Sequence, residues 1–362
     1  MSKSDSATIE KLRFPLVFLV VVLHSEYEAA GILNNALSHV LAHVAVPSFF
    51  FISGYLFFVN LSQWGKEVFI NKLKRRYRSL FIPYILWITL FILWTLGIGL
   101  FLNILRGTFS VSTDMFSDSL GGARLYWDSI VNHRPIKGWL GITFSDTMPY
   151  LYPMWYVRDL MVATLLSPVA YFLLKQRKKN YVAYLTLVLL FFSYISNIFI
   201  HSIHGFSIIC LFPFCLGAFY SLRNISFVKS FNKILAPSII IGVLLFILEV
   251  YYDGRFTTIG SYMYPFWVIF GIISITNIVS TKKVGFTSKL SGSTFFVFAF
   301  HPFILNYCRI CISSLTSIMP IFVAPYLNYI LTPLLCVSVC VVLYDVLEKY
   351  IPSVSSILCG KR

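Results

Sequence analysis

The chain has 362 residues, of which 58% are apolar and only 12% are charged, and its mean hydropathy is +0.79. A soluble domain carries about 25% charged residues, and a globular interior of this size cannot bury so much apolar surface. The composition therefore excludes an ordinary soluble protein and indicates a chain that lies in a lipid bilayer. The net charge of +15 does not indicate a nucleic-acid partner, because the basic residues form short clusters between apolar runs, as membrane topology requires.

Ten apolar segments have about the length that a membrane-crossing helix needs, which is about 20 residues. The predicted spans cover 13–33, 40–62, 79–103, 151–174, 181–200, 205–222, 235–252, 260–280, 290–312 and 321–346. We therefore predict an all-α polytopic membrane protein. Residues 13–346 form its transmembrane domain, and residues 1–12 and 347–362 form its tails.

Lysine and arginine residues predict the orientation of these spans. Most of the 29 basic residues lie in alternate connections, and the positive-inside rule places those connections and both termini in the cytosol. The longest connection, residues 104–150, then lies outside. It could cover an opening for an acceptor, or it could be an ordinary surface loop.

Arg13 and His24 are ionisable residues of the first predicted span. Such groups are costly in hydrocarbon, so they are functional candidates by default. Eleven helical steps bring the two side chains within about 20° of each other, and they lie about 16 Å apart along the axis. We expect Arg13 at the cytosolic interface and His24 near the middle of the bilayer, both facing one cavity that is open to the cytosol.

This spacing would suit acyl-coenzyme A as a substrate. A cation at the interface can hold the phosphates, and a histidine deeper on the same face can act on the distant thioester. Neutral imidazole can take a proton from a hydroxyl as that hydroxyl attacks. The spacing alone leaves open that His24 only forms a structural hydrogen bond between helices.

Further candidates lie in or beside other spans. His301 falls near mid-bilayer, and the proline after it can free a carbonyl; a packing histidine at a kink is the alternative. Glu28 follows His24 by about one turn and could orient its ring, or it could reach to the outer interface. Arg158 and Asp159 point about 100° apart on a helix and need not pair with each other. Arg158 could then face a water-filled cavity or a phosphate of an outer-leaflet lipid.

Arg75 and Arg78 lie in a dense cytosolic basic run and share one helix face. They could clamp phosphates, or the run could serve as a topology anchor that contacts anionic lipids. Cys308 and Cys311 have the spacing of metal ligands, but no second pair lies nearby. We therefore predict no metal site and no disulfide framework for the seven cysteines.

Five segments together resemble the acyltransferase-3 family of membrane O-acyltransferases. They are Arg13 through His24, with an arginine, ten residues and a histidine; Pro47-Ser48-Phe49-Phe50-Phe51-Ile52-Ser53-Gly54-Tyr55; Arg75-x-x-Arg78 before Pro83-Tyr84; Trp155-Tyr156-Val157-Arg158 through Ser167-Pro168; and Phe300-His301-Pro302. The resemblance rests on all five motifs in this order. One departure is Phe14-Pro15, where a small residue usually follows the arginine.

The resemblance implies transfer of an acyl group from cytosolic acyl-CoA, with acetyl-CoA expected, to a hydroxyl of a cell-envelope saccharide or its lipid-linked precursor. It makes Arg13 and His24 the essential pair, with His24 as base or acyl relay. We add His301 to the catalytic set. The remaining assigned residues are Arg75, Arg78, Ser53 and Tyr55 for donor binding, and Trp155, Arg158 and Glu28 on the acceptor side.

The expected location is the bacterial inner membrane, with membrane lipids as further partners and without nucleic acid. One alternative function is a transporter or flippase for a lipid-linked saccharide, in which Arg13 and His24 form a substrate or proton site. A glycan polymerase, which would rely on its outer loop, is a third. Release of free coenzyme A distinguishes an acyltransferase from both.

Overall fold

The computed structural model of the protein is built almost entirely from helices. It describes residues 1–61, 63–107, 121–127, 130–131, 136–137, 143–144, 147–175, 180–196, 210–252, 258–281 and 288–361. Most of the predicted outer loop lies outside these described residues. So do His201 and His204, which the sequence predicts at an outer turn near the membrane interface. The all-α prediction is confirmed for the part of the chain that the structure describes.

The helices follow the apolar segments of the sequence. They are α1 (Lys3–His24), α2 (Ile32–Asn34), α3 (Ala45–Phe58), α4 (Lys66–Arg76), α5 (Ile82–Leu105), α6 (Trp155–Leu165), α7 (Ser167–Lys175), α8 (Asn180–Ser196), α9 (Leu211–Leu222), α10 (Phe227–Asn232), α11 (Leu235–Tyr251), α12 (Thr258–Thr281), α13 (Ser288–Thr316), α14 (Ala324–Tyr350) and α15 (Pro352–Leu358). Short 3-10 and π segments join several of them.

Four two-residue strands complete the described structure between α5 and α6. They are β1 (Ile130–Val131), β2 (Ile136–Lys137), β3 (Thr143–Phe144) and β4 (Thr147–Met148). Strand β1 pairs with β4 and strand β2 pairs with β3, both antiparallel. These pairs lie in the predicted outer loop and leave the helical architecture unchanged.

Every predicted span overlaps a helix. Five described helical stretches are long and apolar enough to cross a membrane: Ile32–Phe58, Lys66–Leu105, Met263–Thr281, Leu290–Thr316 and Ala324–Tyr350. The bent pair α6 and α7, broken by 58°, would make a sixth, and Asn180–Ile195, Leu211–Leu222 and Leu235–Tyr251 are shorter apolar helices. The protein is thus a multi-pass membrane protein, whereas the count of ten and the cytosolic termini stay predictions.

Helix α1 begins and ends earlier than the sequence pattern predicts. It starts at Lys3, where the Ser2 hydroxyl accepts a hydrogen bond of 3.0 Å from the Asp5 amide and so caps the helix. It ends at His24, and Ser25 turns its hydroxyl back to the Val21 carbonyl. The helix is therefore shifted from the predicted span 13–33, because it also includes charged first turns that lie outside the apolar pattern.

Helices α3 and α9 pack with their backbones in close approach. A Cβ atom placed on Gly54 would lie 2.0 Å from the Phe214 carbonyl oxygen, and one on Gly217 would lie 2.0 Å from the Phe51 carbonyl oxygen. Each glycine thus makes room for the other helix, as small residues do between membrane helices. This contact fixes the position of the Ser53-Gly54-Tyr55 motif.

Helices α1 and α13 run parallel to each other through the bundle. Their contacts follow the same order along both helices: the Ser291 hydroxyl donates to the Glu10 carbonyl at 3.2 Å, and His301 meets His24. Beyond the end of α1, Arg309 donates to the Glu26 carbonyl at 3.0 Å. This parallel packing brings two histidines from distant parts of the chain together.

Candidate functional site

Two histidines and a tyrosine meet where α1 ends. The rings of His24 and His301 are stacked, with centroids 5.3 Å apart and planes 6° from parallel. Tyr152 meets His24 edge to face, with centroids 4.6 Å apart. His24 is half-buried, whereas His301 is 0% exposed. The structure thus brings two of the predicted catalytic residues into direct contact.

The hydrogen bonding of His301 fixes its tautomer. Its Nδ1 lies 3.1 Å from the carbonyl oxygen of Val297, and because a carbonyl only accepts, Nδ1 must carry the proton. Pro302 has no N–H to donate to the Phe298 carbonyl, one turn earlier on the same helix. Nε2 therefore holds a lone pair, and this buried atom has no hydrogen-bond partner among the described residues.

Arg13 lies at an open cavity at the other end of the α1 face. The side chain is exposed, and the cavity has a volume of about 280 Å³. Its polar lining consists of the Ser6 and Ser291 hydroxyls, the Glu10 carboxylate and the Arg13 guanidinium. The other lining residues are Met1, Ile9, Leu56 and Gly292. Guanidinium and hydroxyl groups are suited to binding phosphate oxygens.

The Arg13 cavity does not extend to His24. The lining residues end at Arg13 on α1. Val17 and Val20 lie between Arg13 and His24 on the same helix face, and they are 0% and 1% exposed. The expectation of one open cavity shared by Arg13 and His24 is therefore wrong for this conformation, because packed valines separate the two side chains.

In the basic segment of α4 and the turn after it, the side chains that face the interior are not the ones predicted. Arg75 and Arg78 are exposed, and neither lines the Arg13 cavity. Lys72 and Arg76 instead lie over the ring of Phe57, at 5.1 and 5.5 Å from its centroid. Sequence reasoning missed this pair, although its i, i+4 spacing is a signal of a shared helix face.

The Ser53-Gly54-Tyr55 motif holds helices together. Ser53 Oγ lies 3.2 Å from the Tyr156 hydroxyl, and the Tyr55 hydroxyl donates to Asp5 Oδ2 at 2.9 Å. Asp5 is 1% exposed, and its other oxygen accepts from Ser226 Oγ at 2.7 Å. Neither Ser53 nor Tyr55 lines the Arg13 cavity. The sequence does not single out Asp5 as an interior residue, because a carboxylate in the first turn of a helix usually serves only to stabilise the helix dipole.

Arg158 is part of an internal ion pair. It is 1% exposed, its Nε donates to Asp159 Oδ1 at 2.9 Å, and its Nη1 donates to the Trp127 carbonyl at 2.8 Å. The expectation that Arg158 and Asp159 need not pair, and that Arg158 faces an open cavity or a lipid phosphate, is therefore wrong. The long arginine stem lets two neighbouring residues pair despite pointing apart on the helix.

The other two predicted acceptor residues lie apart from each other. Trp155 is partly buried, with its ring 6.3 Å from that of Phe50. Glu28 is exposed and begins a separate 3-10 turn, so the expectation that it shares the α1 face with His24 is wrong. The neighbouring carboxylate of Glu26 lies toward His39, with one of its oxygens 3.9 Å from His39 Nε2.

Within the ranges that the structure describes, no three His, Cys, Asp or Glu side chains converge as metal ligands. The seven cysteines are free thiols. Cys359 lies beyond the last span, where burial raises the pKa of its thiol to about 11 and keeps it protonated at neutral pH.

Comparison with known proteins identifies the family. The family model described as an acyltransferase domain matches residues 7–345. The succinoglycan biosynthesis protein ExoH of Rhizobium meliloti (strain 1021) is 24% identical over 397 residues, which cover 100% of this chain and 94% of that protein. No solved structure matches. Since the family match covers nearly the whole chain, and since the fold is a multi-pass helical bundle, the chain belongs to the acyltransferase-3 family and is a membrane acyltransferase.

Proposed function

We propose that the protein transfers an acyl group, with acetyl expected, from cytosolic acyl-CoA to a hydroxyl of a cell-envelope saccharide or its lipid-linked precursor. Its location is the bacterial inner membrane. The similarity to a protein named for succinoglycan biosynthesis supports a saccharide acceptor. The observation that carries the proposal is the stacked pair His24 and His301, in which a buried imidazole nitrogen is left to accept a proton.

The proposed reaction needs one proton acceptor beside the thioester. The acceptor hydroxyl gives its proton to an imidazole nitrogen, and its oxygen attacks the thioester carbonyl. The carbon–sulfur bond then breaks, and the proton passes to the departing thiolate to give free coenzyme A. The hydrogen bond from His301 Nδ1 to Val297 orients that ring and leaves Nε2 as the acceptor. His24, as base or acyl relay, lies between His301 and Tyr152.

The donor enters from the Arg13 cavity in this proposal. Its volume of about 280 Å³ lies just below the roughly 300–1,000 Å³ of ligand pockets, so it accommodates the phosphates rather than the whole donor. The thioester arm must then pass the packed face at Val17 and Val20 to reach the histidines. Donor binding therefore requires an opening between α1 and its neighbours.

Surface-glycan analysis tests the proposal. Cells with the wild type, a deletion, and His24→Ala are compared for acyl groups on the glycan, and the purified protein is assayed for release of free coenzyme A. We expect acylation in the wild type only. A His39→Ala variant is the matched control, because His39 contacts Glu26 outside the stacked pair. Equal acylation in the wild type and the deletion strain would overturn the proposal.

A further inference from the structure

The connection after α5 returns deep into the helical bundle. Its residues 121–127, here called the re-entrant segment, pack against the first turns of α5. The Tyr84 hydroxyl donates to the Tyr126 carbonyl, and the Tyr126 hydroxyl lies 2.9 Å from Thr89 Oγ1. Tyr84 and Leu105 lie near opposite ends of this 24-residue helix. The chain that leaves α5 at Leu105 has therefore come back by about 30 Å along the helix.

Three consecutive carbonyls of the re-entrant segment are held by three different parts of the fold. The Leu125 carbonyl accepts from the Tyr150 amide at 2.8 Å, and the Trp127 carbonyl accepts from Arg158 Nη1 at 2.8 Å. The carbonyl between them is the one that Tyr84 holds. A re-entrant segment at membrane depth is tolerated only where protein or a water-filled cavity surrounds its backbone. The segment is therefore a built part of the bundle.

The re-entrant segment lies beside the histidine pair. Tyr150, whose amide holds the segment, is two residues before Tyr152, and the Tyr152 ring contacts His24 with centroids 4.6 Å apart. On α5, Trp87 lies between the two residues that hold the segment. Its ring centroid is 6.1 Å from that of Phe300, and the next residue of α13 is the second histidine. The segment thus reaches the depth at which the two imidazoles stack.

Trp127 is the large exposed side chain at the end of the re-entrant segment. Its side chain is 40% exposed, and the Arg158 guanidinium lies 5.7 Å from its ring centroid. Arg158 is itself 1% exposed and is paired with Asp159. The guanidinium therefore holds both the ring and the carbonyl of Trp127 from the buried side. An aromatic surface fixed in this way is suited to stacking against a ligand.

We infer that Trp127 is the stacking platform for a sugar ring of the acceptor saccharide, and that Arg158 is a positioning residue that acts through Trp127. The inference rests on the proposed function for the identity of the acceptor. A sugar ring packs its apolar C–H face on an aromatic ring and keeps its hydroxyl groups free to react. The platform thereby holds an acceptor hydroxyl beside His24.

Kinetics with two acceptors, methyl β-glucoside and methyl β-galactoside, and with acetyl-CoA as donor test the platform. Trp127→Ala should raise the KM for the acceptor about tenfold through loss of aromatic packing, and Trp127→Phe should raise it less. The KM for acetyl-CoA should stay unchanged. Trp94→Ala is the matched control, because Trp94 is also 40% exposed but lies on α5, outside the segment. It should change the acceptor KM by less than about twofold.

The positioning role of Arg158 needs a variant that keeps the fold. Arg158→Met together with Asp159→Leu removes both buried charges and should keep most of the stability. It leaves the Trp127 carbonyl without its donor, so we expect a raised acceptor KM at a melting temperature close to that of the wild type. A normal acceptor KM in this double variant would overturn the positioning role.

The competing ligand is the adenine of coenzyme A, because nucleobases also stack on aromatic side chains. In that case Trp127→Ala would raise the KM for acetyl-CoA and leave the acceptor KM unchanged. This result would overturn the saccharide platform. An equal rise of both KM values would also overturn it, since Trp127 would then only support the fold.

Saturation-transfer NMR separates the inference from the proposed function, because it detects binding of the two methyl glycosides without any acyl transfer. Saturation of the sugar C–H protons by the wild type, and its loss with Trp127→Ala, would support the platform even in an inactive protein. Only the proposed function would then fail. Equal signals from the wild type and Trp127→Ala, or no signal from the wild type, would reject the platform even in an active enzyme.

Discussion

His24 and His301 stack face to face with their planes 6° from parallel, although they come from the first helix and from α13. Only His301 has its ring orientation set by a backbone carbonyl, that of Val297. His24 depends on its neighbours Tyr152 and His301 for its position. The two imidazoles are thus unequal, one anchored and buried and the other partly accessible.

Replacement of His301 by glutamine tests the anchored ring. Glutamine is polar and of similar length but cannot act as a base at neutral pH, so His301→Gln should lower kcat about 10²- to 10⁴-fold, the usual contribution of general base catalysis. Release of coenzyme A thiol measures the effect. His39→Gln, outside the stacked pair, should keep near wild-type activity. Full activity in His301→Gln would restrict catalysis to His24.

Replacement of Gly54 by alanine tests the contact between α3 and α9. The added Cβ would lie 2.0 Å from the Phe214 carbonyl oxygen, so the helices must separate. We expect the free energy of unfolding to fall by about 3 kcal/mol, the upper end of the usual cost of overpacking. Gly97→Ala is the matched control, because nothing lies within 4 Å of its added Cβ. Thermal unfolding in detergent measures both. Similar melting temperatures for the two variants would contradict the close approach.

Removal of the Tyr55 hydroxyl distinguishes a structural role from donor binding. In the structure this hydroxyl donates to the buried Asp5, so Tyr55→Phe should lower stability by about 1.5–3 kcal/mol, the value of a hydrogen bond to a charged group. The KM for acyl-CoA should stay unchanged. A raised KM with unchanged unfolding would instead support the donor role that the sequence motif suggested.

The buried pair Arg158 and Asp159 should be sensitive to loss of one partner. Arg158→Met leaves the Asp159 carboxylate buried without its cation, so we expect about 3–5 kcal/mol of destabilisation. Removing both charges, as Arg158→Met with Asp159→Leu, should recover much of that stability. Unfolding curves of the single and double variants measure the difference. Additive losses would show that the two side chains do not act as a pair.

The parts of the site that lie on one helix follow from the sequence. The regular geometry of a helix is enough to place Arg13 and His24 on one face of α1. The His301-Pro302 sequence likewise indicates a freed carbonyl, since the missing N–H of a proline is known without any structure. These predictions depend only on local backbone geometry.

Contacts between distant segments could not be predicted in the same way. Asp5 meets Tyr55 and Ser226 only because three helices converge, and no spacing in the sequence indicates this. Arg76 packs against the bundle and Arg75 does not, because of the way α4 is rotated against Phe57. The sequence does not show this rotation. The packing at Val17 depends on the neighbouring helices, so a shared helix face did not guarantee a shared cavity.

The parallel direction of α1 and α13 has a consequence for biogenesis. Two helices that point the same way across a membrane require an odd number of crossings between them, which the seven predicted spans between α1 and α13 supply. His301 leaves the ribosome long after His24 and meets it only when nearly all of the chain has been threaded into the bilayer. If acyl transfer needs both histidines, as proposed, the nascent protein cannot carry it out until its insertion is almost complete.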